Sequence, residues 1–103
     1  MDQDRRIEFN NILKVILGSN NVYFQPPEDR VMQYPCIVYK RDNATIRHAD
    51  NVPYKKVQRY QVTLIDHNPD NDAVSKLLDL PLSAYDRHYA TSGLNHDVFV
   101  IYH

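Results

Sequence analysis

The stretch KVQRYQVTLID (residues 56–66) constrains the fold more than any other. Tyr60, Val62 and Leu64 alternate with Arg59, Gln61 and Thr63, which is the period of a strand with one dry face and one wetter face. It runs almost directly into DNDAVSKLLDLPL, where Val74, Leu77 and Leu78 form one apolar face of a short helix that Pro81 ends. A half-dry strand followed at once by a small amphipathic helix calls for a sheet with helices on one side.

The remaining segments fit that plan. Residues 2–17 predict a helix, with Phe9, Ile12, Leu13, Ile16 and Leu17 on one stripe and Gly18 as its C-terminal stop. Val22 to Gln25 predicts a short strand, which Pro26 and Pro27 prevent from continuing. YPCIVYKRD predicts a strand opened by Pro35, with apolar groups on both faces. NATIRHADNVPYKK is polar, is interrupted by Pro53, and reads as an extended loop or weak hairpin. The C-terminus predicts a hairpin, Tyr85 to Thr91 against Asp97 to Tyr102, with SGLN as the turn. The expected architecture is a single α+β domain over residues 1–103. Its sheet is mainly antiparallel, with an N-terminal helix and a second short helix packed on one face.

Composition removes several classes of function. The net charge of −1 gives the whole molecule no pull on nucleic acid or anionic membrane, so such binding needs a local basic patch. Gly18 and Gly93 are the only glycines, which excludes glycine-rich phosphate loops. Cys36 is the only cysteine, so no internal disulfide and no cysteine zinc cluster can form. No apolar run reaches the ~20 residues that span a bilayer, and MDQDRRIEFNN lacks the apolar stretch of a secretion signal. The expectation is an intracellular soluble domain.

Candidate chemistry is sparse. Asp66, Asn68, Asp70 and Asp72 alternate as at the start of a calcium loop, but the sixth residue is Asn71 and the twelfth is Leu77, where glycine and glutamate are needed. The same residues suit a connector: Asp66 closes a strand, Asn68-Pro69 turns, and Asp70 or Asp72 caps the next helix. The histidines are His48, His67, His88, His96 and His103. Of these, His88 and His96 could meet across the last hairpin beside Asp86 and Asp97 as a metal site, but polar residues near a solvated turn are the preferred reading. Cys36 lies within PCIVY and reads as a buried small hydrophobe, not a nucleophile. The basic residues Lys40, Arg41, Arg47, Lys55, Lys56 and Arg59, interleaved with Tyr39, Tyr54 and Tyr60, allow a nucleic-acid surface; Asp42 and Asp50 oppose it.

Both faces of CIVY and of VFVIYH carry bulky apolar groups. With helices on one face, the other is expected to meet further copies of the chain, and Ile37, Tyr39, Phe99 and Ile101 are the expected inter-subunit strand residues.

YPCIVY, the RYQVTLID strand leading into a short helix, and the closing HDVFVIYH together resemble the tail terminator, or tail completion, proteins of long-tailed bacteriophages. The resemblance runs from about Tyr34 onward. It implies a structural virion subunit of the tail or neck, assembled in the host cytoplasm into a ring, typically a hexamer. The ring would cap the tail-tube protein and join it to the head connector, with DNA only passing through the channel. It implies no catalytic residue, no metal, no cofactor and no membrane partner. Arg41, Arg47, Lys55, Lys56 and Arg59 would then belong to a loop facing the channel or a partner. A neighbouring neck component, such as a head-closure protein, and a small nucleic-acid-binding module are the alternatives.

Overall fold

The computed structural model describes residues 3–48 and 56–103, and their side chains over 4–42 and 58–103. The chain forms α1 (Gln3–Leu17), β1 (Val22–Phe24), β2 (Cys36–His48), β3 (Lys56–Asp66), α2 (Ala73–Leu78), β4 (Ser83–Thr91) and β5 (Leu94–Tyr102). The strands form one sheet in the order β1-β2-β3-β5-β4. It is mixed but mostly antiparallel; β1 alone pairs in parallel, with Val22 opposite Ile37 and Phe24 opposite Tyr39. The fold is α+β, as the alternation in β3 and the stripe in α1 require.

Both helices cover the same face. Phe9 and Leu13 from α1 and Ala73 and Leu77 from α2 pack with Ile37 and Tyr39 of β2, Tyr60, Val62 and Leu64 of β3, and Phe99 and Ile101 of β5. Phe9 stacks on Tyr60 at 4.8 Å, meets Tyr39 edge-on at 5.6 Å, and stacks on His103 at 5.0 Å. Aromatic pairs at these separations add about 0.5–1.5 kcal/mol each beyond burial. One helical residue therefore joins two strands and the C-terminal residue. The Tyr39 hydroxyl donates to Asn10 Oδ1 at 2.6 Å, so the largest buried side chain keeps its polar end satisfied.

One local expectation resolves and two change. Of the extended loop and the weak hairpin, the described residues form the hairpin: β2 continues to His48 and β3 starts at Lys56, and the antiparallel pairing resumes after an irregularity between Arg41 and Ile46. It forms a two-stranded ribbon running past the end of β1. The final turn is tighter than SGLN. Only Ser92 and Gly93 lie between Thr91 and Leu94, with φ of 54° and 76°, the left-handed pair of a two-residue hairpin turn. The cap of α2 also differs from expectation. Asn71 Oδ1, not Asp70 or Asp72, accepts the Ala73 N–H at 2.8 Å, while Asp72 makes no side-chain cap bond.

Gly18 adopts φ +79° and its N–H bonds the Lys14 carbonyl at 2.8 Å, closing α1 as expected. A methyl there would meet nothing within 4 Å, so only backbone strain opposes it. Gly18→Ala should therefore cost about 1 kcal/mol. Leu13→Ala, at a fully buried site, should cost about 3 kcal/mol. Urea unfolding of both variants checks the ranking; equal losses would contradict it.

Candidate functional site

The four strand residues expected between subunits are used within a single copy. Ile37, Tyr39 and Phe99 are 0% exposed and Ile101 is 1% exposed. All four point at α1 and α2. The expectation of exposed contact residues therefore fails: both faces of these strands carry apolar groups, the helices take these four, and the alternate positions face outward.

That outward face is neither bare nor hydrophilic. Cys36, Ile65 and Val98 are buried on it, at 0%, 6% and 1% exposure. Val38, Gln61, Thr63, His96 and Val100 are half-buried, and Lys40, Arg87 and Tyr89 are exposed. Met32, from the connection between β1 and β2, borders a shallow hollow on this face with Val38, Thr63, Arg87 and His96. The chain thus shields part of the surface that sister copies were expected to hide.

The basic segment is dispersed. Arg59 is paired with Asp42, Nε to Oδ2 at 3.2 Å, and both side chains are about one-third exposed. Arg41 is exposed and lies over the Phe24 ring at 5.6 Å. Arg47 and Lys56 take their places on the ribbon, in β2 and β3. Lys55 lies outside the described residues.

The other candidates are settled by register. Tyr89 lies opposite His96 and His88 opposite Asp97, so His88 and His96 occupy opposite faces of the hairpin. His96 stacks on Tyr89 at 4.5 Å, while His88 Nε2 lies 3.2 Å from Asn95 Oδ1. The two-histidine site is therefore not assembled, and among the described residues no group of three metal-ligating side chains gathers. Asp66 accepts from Asn71 Nδ2 at 2.8 Å and Asn68 Oδ1 from the Asp70 N–H at 2.9 Å, so the acidic stretch is a hydrogen-bonded connector. Cys36 is fully buried, and burial, helped by the nearby Asp66 carboxylate, pushes its thiol up to about 12. It is in no position to act as a thiolate near neutral pH.

What remains open is an edge, a groove and a buried carboxylate behind the edge. Among the described residues β4 pairs only with β5, so the other side of this nine-residue strand is an open edge of backbone groups. Tyr85 and Tyr89 stand on it, each 43% exposed. Behind it, Asp97 is 8% exposed and accepts the Tyr85 hydroxyl at 2.7 Å, which no sequence pattern indicated. That bond, then desolvation and the carboxylate charge, raises Tyr85 to about 12. Separately, Ile7, Ile12, Val15, Ile16 and Leu80 line an open groove between α1 and α2, rimmed by Asp4, Glu8, Lys76 and Asp79. Among the described residues no helix is long and apolar enough to cross a membrane. No protein-family model matches the chain, and no curated protein does.

For both Cys36 and Tyr85 the folded pKa lies above the unfolded one, from 9.0 and 10.0 to about 12. Their contribution to stability is therefore complete below about pH 9 and is lost as pH rises towards 12. Stability measured against pH should fall through that window, and Tyr85→Phe should flatten the upper part of the slope. A thiol reagent should label native Cys36 slowly and unfolded chain rapidly; equal rates would contradict its burial.

Proposed function

We propose that this chain is a ring-forming structural subunit that ends a bacteriophage tail tube and joins it to the head connector. The observation that carries the reading is the open β4 edge. A closed ring of identical copies uses heterologous contacts, in which each copy offers two unlike patches. The free edge of β4 is one unpartnered patch and the apolar groove between α1 and α2 is a different one. The β2–β3 ribbon adds a projecting element at the end of the sheet. Further support is the resemblance of YPCIVY, RYQVTLID with its following helix, and HDVFVIYH to tail terminators.

The mechanism is geometric. One sheet face is consumed by the chain's own core, so assembly proceeds through the edge, the ribbon and the helix groove. The ring, about six copies by resemblance, stops tube growth and leaves a hole for the genome. No catalytic group, metal or cofactor enters. The expected location is the virion neck, after assembly in the host cytoplasm.

Mass measurement in solution, alone and with the tail-tube protein, tests this. The expected result is a closed ring, formed alone or only on the tube. A chain that stays monomeric in both conditions overturns the reading. Rings that bind the head connector and ignore the tube would place the subunit at the neighbouring neck position.

A further inference from the structure

α1 carries charges of opposite sign on its two sides. Asp4, Ile7, Glu8, Asn11 and Val15 follow helical spacing along the groove against α2. Arg6 lies on the other side, with its Cζ 4.5 Å from the centroid of the Phe24 ring. Arg41 approaches the same ring from β2, its Cζ at 5.6 Å. The two guanidiniums thus share one half-buried aromatic ring at the end of the sheet.

Among the described residues, the carboxylates close in sequence do not neutralise them. Asp42 is engaged by Arg59 and Glu8 by His103, at 3.2 Å and 2.9 Å. Asp4 lines the groove on the opposite side of α1. Among the described residues neither Arg5, Arg6 nor Arg41 makes an ion pair. Tyr39 and Tyr60 close the inner side of the cluster, their rings edge-on at 5.7 Å. Burial raises both phenols, and the guanidinium of Arg6 at Tyr39 and that of Arg41, with Arg6 and Arg5, at Tyr60 pull the other way. The charges of Arg5 and Arg6 also lie at the positive end of the α1 dipole, where an anion is favoured and cations are not. Arg6 also hydrogen-bonds the Tyr39 phenol and Arg41 the Tyr60 phenol, which fixes each guanidinium and leaves its remaining N–H donors to bind a planar or tetrahedral oxyanion.

We propose that Arg6 and Arg41 form a binding site for the phosphodiester backbone of nucleic acid. A polymer fits better than a single free phosphate because cations continue beyond the cluster. By sequence position, Arg47 lies further along β2, past the irregularity between Arg41 and Ile46, and Lys56 begins β3 on the same ribbon. With a net charge of −1 the attraction is local, so it depends on this cluster and not on the molecule as a whole. Binding is independent of base sequence, since stacked arginines beside phenols present nothing that reads base edges. The proposal stands apart from the ring reading: a monomer that binds in this way satisfies it.

Fluorescence anisotropy of a labelled DNA duplex with the full chain, over a salt series, tests it. The parent should bind at low salt with affinity falling steeply as salt rises. Arg6→Gln with Arg41→Gln should weaken binding by about tenfold or more and lower the salt slope by about two. Arg87→Gln, a remote cation on β4, should change neither. Both arginines are at the surface, and an unchanged thermal midpoint verifies that the double variant is folded. Arg6→Lys with Arg41→Lys keeps the charge and should retain most of the salt slope while losing part of the affinity. No duplex binding at low salt overturns the proposal, as does a double glutamine variant with parental affinity. Binding of pyrophosphate without binding of duplex also overturns it, by assigning the cluster to a free phosphate.

Discussion

Phe9 holds the molecule together. It brings the N-terminal helix onto Tyr39 of β2 and Tyr60 of β3 and reaches His103 at the other end of the chain. Those strands are non-adjacent in time of synthesis from β5, yet Phe99 and Ile101 complete the same apolar layer. Because one face of the sheet must receive both helices, its side chains are unavailable to any other protein. Every contact with a partner has to come from the edge, the outward face, the groove or the ribbon.

This constraint separates what was legible in the sequence from what was not. The strand VQRYQVTLID and the α1 stripe carry strong periods, and the structure places them as read, because a period of two or of 3.6 leaves one choice of buried face. CIVY has apolar groups at consecutive positions, so periodicity cannot say which half faces the helices; the structure buries Ile37 and Tyr39 there. NATIRH lacks apolar alternation, and it becomes strand through pairing with residues 56–58, a long-range cause that a local window does not contain. The Tyr85–Asp97 bond depends on register between β4 and β5, where Tyr85 lies opposite Phe99, one same-face step from Asp97. The cationic cluster was partly visible as Arg41. Arg6 joins it only through Phe24, which the parallel pairing of β1 brings beside β2.

The surface that remains is divided electrically by α1. One side is an apolar groove whose rim carries Asp4, Glu8 and Asp79 beside Lys76, and the other is a pair of arginines over an aromatic ring. A subunit with unlike charge on its two sides can favour head-to-tail contacts over face-to-face ones, since like-charge juxtaposition is unfavourable. β4 carries Asp86 and Arg87 next to its register shift, charges of the kind that discourage indiscriminate strand pairing. An edge so marked accepts a matched neighbour more readily than a random one.

The account rests on a single copy that is complete on its helical face and unfinished along β4. Residue-resolved amide hydrogen exchange, on isolated chain and on chain assembled with the tail-tube protein, measures both halves of that claim. Amides of β3 and β5 should be protected in both states, whereas outward amides of β4 should exchange fast in the isolated chain and become protected on assembly. Outward β4 amides that exchange equally in the two states, or β3 and β5 protected only after assembly, would contradict it.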